Sequence, residues 1–173
     1  MSDRAAELTA KQEIYEVVLR YCRGVDRGDL AIVRSAYHDD AIEHHSGFEG
    51  GIEEYLVWLQ SAIAEYDGMM HLIGNHLATI DGDRAVAETY GLGIHWGGEP
   101  DDDRNFTSGV RFIDYLECRE GRWGIVERWA VRDWRRSDVG MRMPLGSSHP
   151  GSRDENDPLY RALGRLEGGL TAI

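Results

Sequence analysis

Met70-His71-Leu72-Ile73-Gly74-Asn75-His76-Leu77-Ala78-Thr79-Ile80 is where the chain changes period. On a strand, His71, Ile73 and Asn75 share one face, and Leu72, Gly74 and His76 share the other. Three further runs rich in β-branched and aromatic residues follow, at 85–96, 106–117 and 123–134. Asp81-Gly82-Asp83 and Arg119-Glu120-Gly121-Arg122 are short enough to close hairpins, and the polar stretch 97–105 makes a longer loop.

Upstream the period is helical. Ile14, Val17, Val18, Tyr21, Cys22 and Val25 recur at steps of three and four. Thr9 with Gln12 has the form of a capping box at the start of this helix, and Gly28 marks its stop. Asp29 caps a second, short helix carrying Leu30, Val33, Ala36 and Tyr37. A short strand is expected at 41–45 and a third helix at 52–66, with Ile52, Tyr55, Leu56, Leu59 and Ile63 on one side. Helices followed by a meander of long strands predict an α+β plan, one curved sheet folded around a helical layer. The Gly/Pro/Ser-rich stretch 137–157 reads as irregular. Asp157-Pro158 then opens a last helix with Leu159, Leu163 and Leu166.

At 173 residues the chain is expected to be a single domain over 1–173, with a core at about 8–135 and a tail at 136–173. Its 19 Lys and Arg against 31 Asp and Glu give a charge of −12, which argues against a nucleic-acid partner. No stretch reaches the roughly 18 apolar residues of a membrane span, and Met1-Ser2-Asp3-Arg4 leads into no signal-peptide core. A cytoplasmic protein with no membrane contact is the expectation. Cys22 and Cys118 form no redox or zinc spacing and read as small buried hydrophobes.

Four side chains stand out for chemistry. Asp26 lies at the apolar face and C-terminal end of the first helix, where a carboxylate is unfavourable without a partner. His71 opens the first long strand. A carboxylate at its ring would fix the tautomer and leave the other nitrogen a base near neutral pH. His95 closes the next strand on the parity of Gly91 and Gly93, two glycines that relieve curvature or leave room for a ligand. Tyr21 needs a hydrogen-bond partner as a core residue and supplies a proton as a catalytic one. Seven histidines raise the question of metal, but the dense His38, Asp39, Asp40, His44, His45 region has no metal-ligand spacing, and none is expected. No phosphate-binding glycine loop or nucleophile elbow occurs, so no cofactor is expected.

The helix end Tyr21-Cys22-Arg23-Gly24-Val25-Asp26-Arg27-Gly28-Asp29 and the strand start His71-Leu72-Ile73-Gly74-Asn75 resemble the SnoaL-like branch of the nuclear transport factor two superfamily. The resemblance covers about residues 8–135, and more loosely Gly151-Ser152-Arg153 and Asp157-Pro158-Leu159-Tyr160. It implies a cone-shaped α+β barrel, a strongly curved, mostly antiparallel sheet wrapped over N-terminal helices around a deep apolar pocket. Within the superfamily the patterns are most similar to scytalone dehydratase, hexachlorocyclohexane dehydrochlorinase and bile-acid dehydratase, cofactor-free eliminating enzymes built on an Asp–His pair. The resemblance puts the carboxylate on Asp26, the base on His71, the catalytic tyrosine on Tyr21 and a second polar pocket residue on His95. Arg119 resembles the dehydrochlorinase's pocket arginine but reads as a hairpin-turn residue. Asn75 and a wall of Tyr55, Leu59, Met69, Ile73, Leu92, Phe106, Val110, Phe112 and Trp129 are assigned to substrate.

The function implied is a lyase acting by dehydratase-like elimination on a cyclic, apolar polyketide-, steroid- or aromatic-type small molecule. Three readings stand beside it: an isomerase or cyclase of the ketosteroid isomerase or polyketide cyclase type, a non-catalytic binding module, and the small subunit of a ring-hydroxylating dioxygenase. Four tryptophans of mixed parity cannot all point inward, so a homo-oligomer is expected, and the resemblance favours a trimer over a dimer. The stretch 137–157 serves either as a lid or as an oligomer arm.

Overall fold

The computed structural model describes residues 3–97, 99, 101–139 and 151–163. Helix α1 (Asp3–Arg27) begins earlier than the capping signal at Thr9 suggests. The helix formers Ala5, Ala6 and Glu7 carry it to Asp3, and the Thr9 hydroxyl bonds back to the Ala5 carbonyl at 3.0 Å instead of capping. It stops at Gly28, whose φ of 67° ends the helical hydrogen-bond run. The Gly28 N–H returns to the Val25 carbonyl and the Asp29 N–H to that of Gly24. Asp29 then caps α2 (Leu30–Ser35) by accepting from the Ile32 N–H at 3.0 Å, as the sequence predicts.

β1 (Tyr37–His45) is longer than the strand expected at 41–45, and it turns into an edge strand β2 (Phe48–Gly51) that the sequence reading missed. α3 (Ile52–Ala64) follows, and then the meander β3 (Gly68–Asp81), β4 (Arg84–Trp96), β5 (Phe106–Arg119) and β6 (Arg122–Ser137). All form one six-stranded sheet in the order β2-β1-β6-β5-β4-β3. Every pairing is antiparallel except β1 with β6, which the helical connection through α3 and the later meander permit. α4 (Pro158–Leu163) ends the described chain, with Leu163 buried; Leu166 lies outside the described residues.

The core sits between the helices and the concave face of the sheet. Ile14, Val18, Tyr21 and Val25 of α1 meet Phe112 and Leu116 of β5 and Ile125 of β6. Inside this layer three charged side chains are wholly buried, Glu43, Asp114 and Arg128. Arg128 takes both oxygens of Asp114, at 2.6 and 2.7 Å, and its guanidinium lies 4.2 Å from the centre of the Tyr21 ring.

A bulge corrects the simple alternation expected on β3. Ile73 pairs with Gly91 and His76 with Thr89, so Gly74 and Asn75 together face Tyr90. Met69, His71 and Ile73 line the inner face, and after the bulge His76, Ala78 and Ile80 do. Asn75 is thereby turned out of the concave side and is exposed. Leu92 also lies on the outer face, beside Tyr90 and Trp134, because the inner parity of β4 belongs to Thr89, Gly91, Gly93 and His95. Trp129 faces outward, 38% exposed and stacked on the His44 ring. Trp123 is buried while Trp134 is exposed, as their mixed parity requires. Of the cysteines, Cys22 is buried and Cys118 is only half-buried; both are free.

Candidate functional site

Asp26 and His71, 45 residues apart, meet where the last turn of α1 crosses the start of β3. The Asp26 carboxylate accepts from the His71 backbone N–H at 2.9 Å and bonds the ring Nδ1 at 2.6 Å. A carboxylate accepts only, so Nδ1 carries a hydrogen and Nε2 is left for other work. Two bonds from one residue fix both the height of the strand against the helix and the plane of the ring. Both side chains are mostly sheltered, at 11% and 17% exposure.

His71 opens onto a cavity of about 330 Å³ between the helices and the concave sheet. Tyr21, Leu59, Met69, His95, Phe106, Val110 and Phe112 line it, all of them expected wall or site residues. Tyr55 stands just behind the lining, fully buried, its hydroxyl 2.7 Å from that of Tyr21. Ile73 packs against the core beside the cavity. Asn75, Leu92 and Trp129 have no part in it, for the reasons of bulge and parity given above.

The polar groups of the cavity differ in protonation tendency. Burial, with Glu43 adding to it, pushes the Tyr21 phenol well above its usual value, so it stays a hydrogen-bond donor. His95 is packed flat on Phe106, with ring centres 4.4 Å apart, and edge-on to Tyr66. Desolvation, with the neighbouring His71 second, pulls its pKa down to about 4, which keeps it neutral near pH 7. The His95 Nδ1 and the Ser108 hydroxyl are both buried without a hydrogen-bond partner among the described residues. In a polar site beside a cavity, such atoms are what a ligand's oxygen would satisfy.

A family model for the SnoaL-like domain matches residues 6–129, most of the chain. The chain belongs to the SnoaL-like family. No curated protein matches it by sequence. Solved structures with this fold include a Novosphingobium aromaticivorans protein named as a candidate scytalone dehydratase. It is 16% identical with a TM-score of 0.70, over 84% of this chain and 99% of that one. A type 2 hexachlorocyclohexane dehydrochlorinase, LinA, is 18% identical with a TM-score of 0.68, over 83% and 96%. A candidate ketosteroid isomerase from Shewanella frigidimarina is 20% identical with a TM-score of 0.57, over 69% and 94%. These likenesses establish the nuclear transport factor two-like cone.

On that SnoaL-like frame, sequence reasoning missed Ser108, Tyr66, His45 and Trp58, all of which reach the cavity. Ser108 was legible, since it shares the period-two face of Phe106, Val110 and Phe112 on β5. Tyr66 was not, because it lies just beyond the end of α3. Residues 151–157 lie against the same end of the domain. Asp157 pairs with Arg27 at 3.5 Å, and Arg153 donates to the Tyr66 carbonyl at 3.2 Å. The middle of the expected lid or arm, 140–150, lies outside the described residues. Arg119 is a hairpin-end residue paired with Asp40 and Glu117, away from the cavity. Among the described residues no group of three or more histidine, cysteine or acidic side chains could hold a metal, and no helix is long and apolar enough to cross a membrane.

Proposed function

We propose that this SnoaL-like protein is a cofactor-independent lyase that eliminates a leaving group, in the usual case hydroxide, from a cyclic, largely apolar small molecule of polyketide, steroid or aromatic type. The observation that carries the reading is the His71–Asp26 pair, with Nδ1 held by the carboxylate and Nε2 left free at the edge of the cavity. Asp26 orients the ring and stabilises the imidazolium that forms. His71 Nε2 removes a proton from carbon next to an electron-withdrawing group. The electron pair of that C–H bond becomes the new double bond, and the C–O bond breaks with its pair on oxygen. Tyr21, backed by Tyr55, donates a hydrogen bond to the oxygen on which charge develops, and neutral His95 assists. Positioned acid–base help of this kind supplies about 10²–10⁴-fold. A cavity of about 330 Å³ lies within the range of small-molecule pockets.

The test is turnover by purified His71→Ala and Asp26→Asn, against a panel of β-hydroxy ketones on aromatic and polycyclic frames. Loss of activity in both, with native circular dichroism, is expected; retained turnover in either overturns the assignment. Isomerisation starts from the same proton abstraction, and product mass separates it, because elimination lowers mass by one water and isomerisation leaves it unchanged.

A further inference from the structure

The same cavity contains a second histidine held by a carboxylate. His45, at the end of β1, lines the cavity beside Ser46 and Trp58. Its Nδ1 lies 3.1 Å from Oε1 of Glu43, whose side chain is wholly buried. The other Glu43 oxygen accepts from the Tyr37 hydroxyl at 2.8 Å. His45 Nε2 has no partner among the described residues, and the ring is a quarter exposed. The arrangement repeats that of His71: Nδ1 fastened from behind, Nε2 left free.

Charge balance in the buried layer behind His45 bears on what Nε2 offers a ligand. The buried layer contains Glu43, Asp114 and Arg128, and Asp114 takes Arg128 in a two-pronged pair. Two carboxylates against one guanidinium leave one negative charge out of contact with water. Such a charge costs several kcal/mol unless a cation answers it. The groups that face His45 are Glu43 from its own strand and the rings of Tyr55 and Trp58, with Phe48 its register partner on β2. His44 points to the opposite side, toward Glu49 and Glu127.

We propose that His45 is a second binding group of the site, donating Nε2–H to an acceptor oxygen of the ligand, a carboxylate, phenolate or carbonyl remote from the carbon that reacts at His71. The proposal rests on reading this cavity as the ligand site and narrows the ligand to an aromatic body with an acceptor oxygen at the end opposite the reacting one. Trp58, backed by the buried Tyr55 ring with centres 5.8 Å apart, suits the flat part of such a molecule.

The experiment is binding of 2-naphthoate and of 2-methylnaphthalene, which has the same shape without the acceptor, to native protein, His45→Phe and His45→Gln. The expected result is a loss of at least about tenfold in 2-naphthoate affinity in His45→Phe, the range for a hydrogen bond to a charged group. 2-Methylnaphthalene affinity should change by less than about twofold, and His45→Gln should recover part of the loss. In ¹⁵N-histidine spectra of the native protein, the His45 ring nitrogens should move with 2-naphthoate and not with 2-methylnaphthalene. This readout stands even if a variant misfolds. Equal affinity in His45→Phe, an equal loss for both probes, or unmoved His45 signals overturn the proposal. Failure of the native protein to bind either probe overturns the reading of the cavity as well. Loss of turnover in His71→Ala with normal 2-naphthoate binding in His45→Phe would keep the lyase and discard the anchor.

Discussion

Asp26 occupies a place where an acidic side chain is disfavoured, the last turn of a helix, whose carbonyls already present negative charge. Two hydrogen bonds from His71, one from its backbone and one from its ring, offset that cost. An amide at this position offers only one acceptor oxygen and cannot stabilise an imidazolium. Asp26→Asn should therefore lower kcat/KM by about 10²–10⁴-fold while leaving the fold intact, as read by initial rates and by circular dichroism. His95 carries a second prediction. Its folded pKa of about 4 lies below the usual 6.5, so between those values the unfolded chain binds a proton that the folded chain refuses. The stability this contributes is complete above pH 6.5 and is lost as pH falls toward 4, amounting to at most about 3 kcal/mol. In thermal melts, His95→Asn should lose less stability across that window than the native protein; a parallel decline would refute the assignment.

At the level of elements, the dyad depends on how closely α1 and α2 approach before the chain enters the sheet. A Cβ on Gly24 would lie 2.7 Å from the Val33 backbone nitrogen and 2.7 Å from its Cγ2. Alanine gains about 1 kcal/mol in helix propensity, but backbone cannot retreat as a flexible side chain can, and overpacking costs about 1–3 kcal/mol. Gly24→Ala is expected to lower Tm, and because the end of α1 carries Asp26, to lower activity by a larger factor than the stability loss explains. Calorimetry with initial rates checks both. The β3 bulge works at the same level. One extra residue keeps His71 and Ile73 inside at one end of the strand and puts His76, which bonds Thr89 at 2.8 Å, inside at the other.

Across the whole molecule the Arg128–Asp114 pair ties β6 to β5 under the helical layer and sits beneath the tyrosines that back the cavity. Removing one partner leaves a bare buried charge. Arg128→Met should cost about 3–5 kcal/mol in urea unfolding, whereas Arg128→Met with Asp114→Leu should recover much of it. If the double variant is as unstable as the sum of the singles, the charges are not coupled in this way. The outer face of the sheet exposes the large apolar side chains Leu72, Leu77, Tyr90 and Trp134. We propose that copies of the chain cover it, and light scattering should read a multiple of 19.5 kDa, a trimer by the family resemblance.

The sequence by itself determined the succession of helices and long strands, the caps at Gly28 and Asp29, and the identity of Asp26 and His71 as residues that need partners. Those follow from local period and from the cost of a charge on an apolar face, which any short window reveals. Tertiary structure alone decided which polar groups share a cavity. Asn75 left the concave face through one inserted residue, Leu92 and Trp129 fell on the outer parity, and Tyr66 and His45 entered from the loop after α3 and from the end of β1. A strand's inner face depends on register with its neighbour, and a shift of one residue reverses it. Contact between residues 45 apart depends on the curvature of the whole sheet. Neither quantity is written in the neighbourhood of any single residue, which is why the pair was foreseeable as chemistry and its surroundings were not.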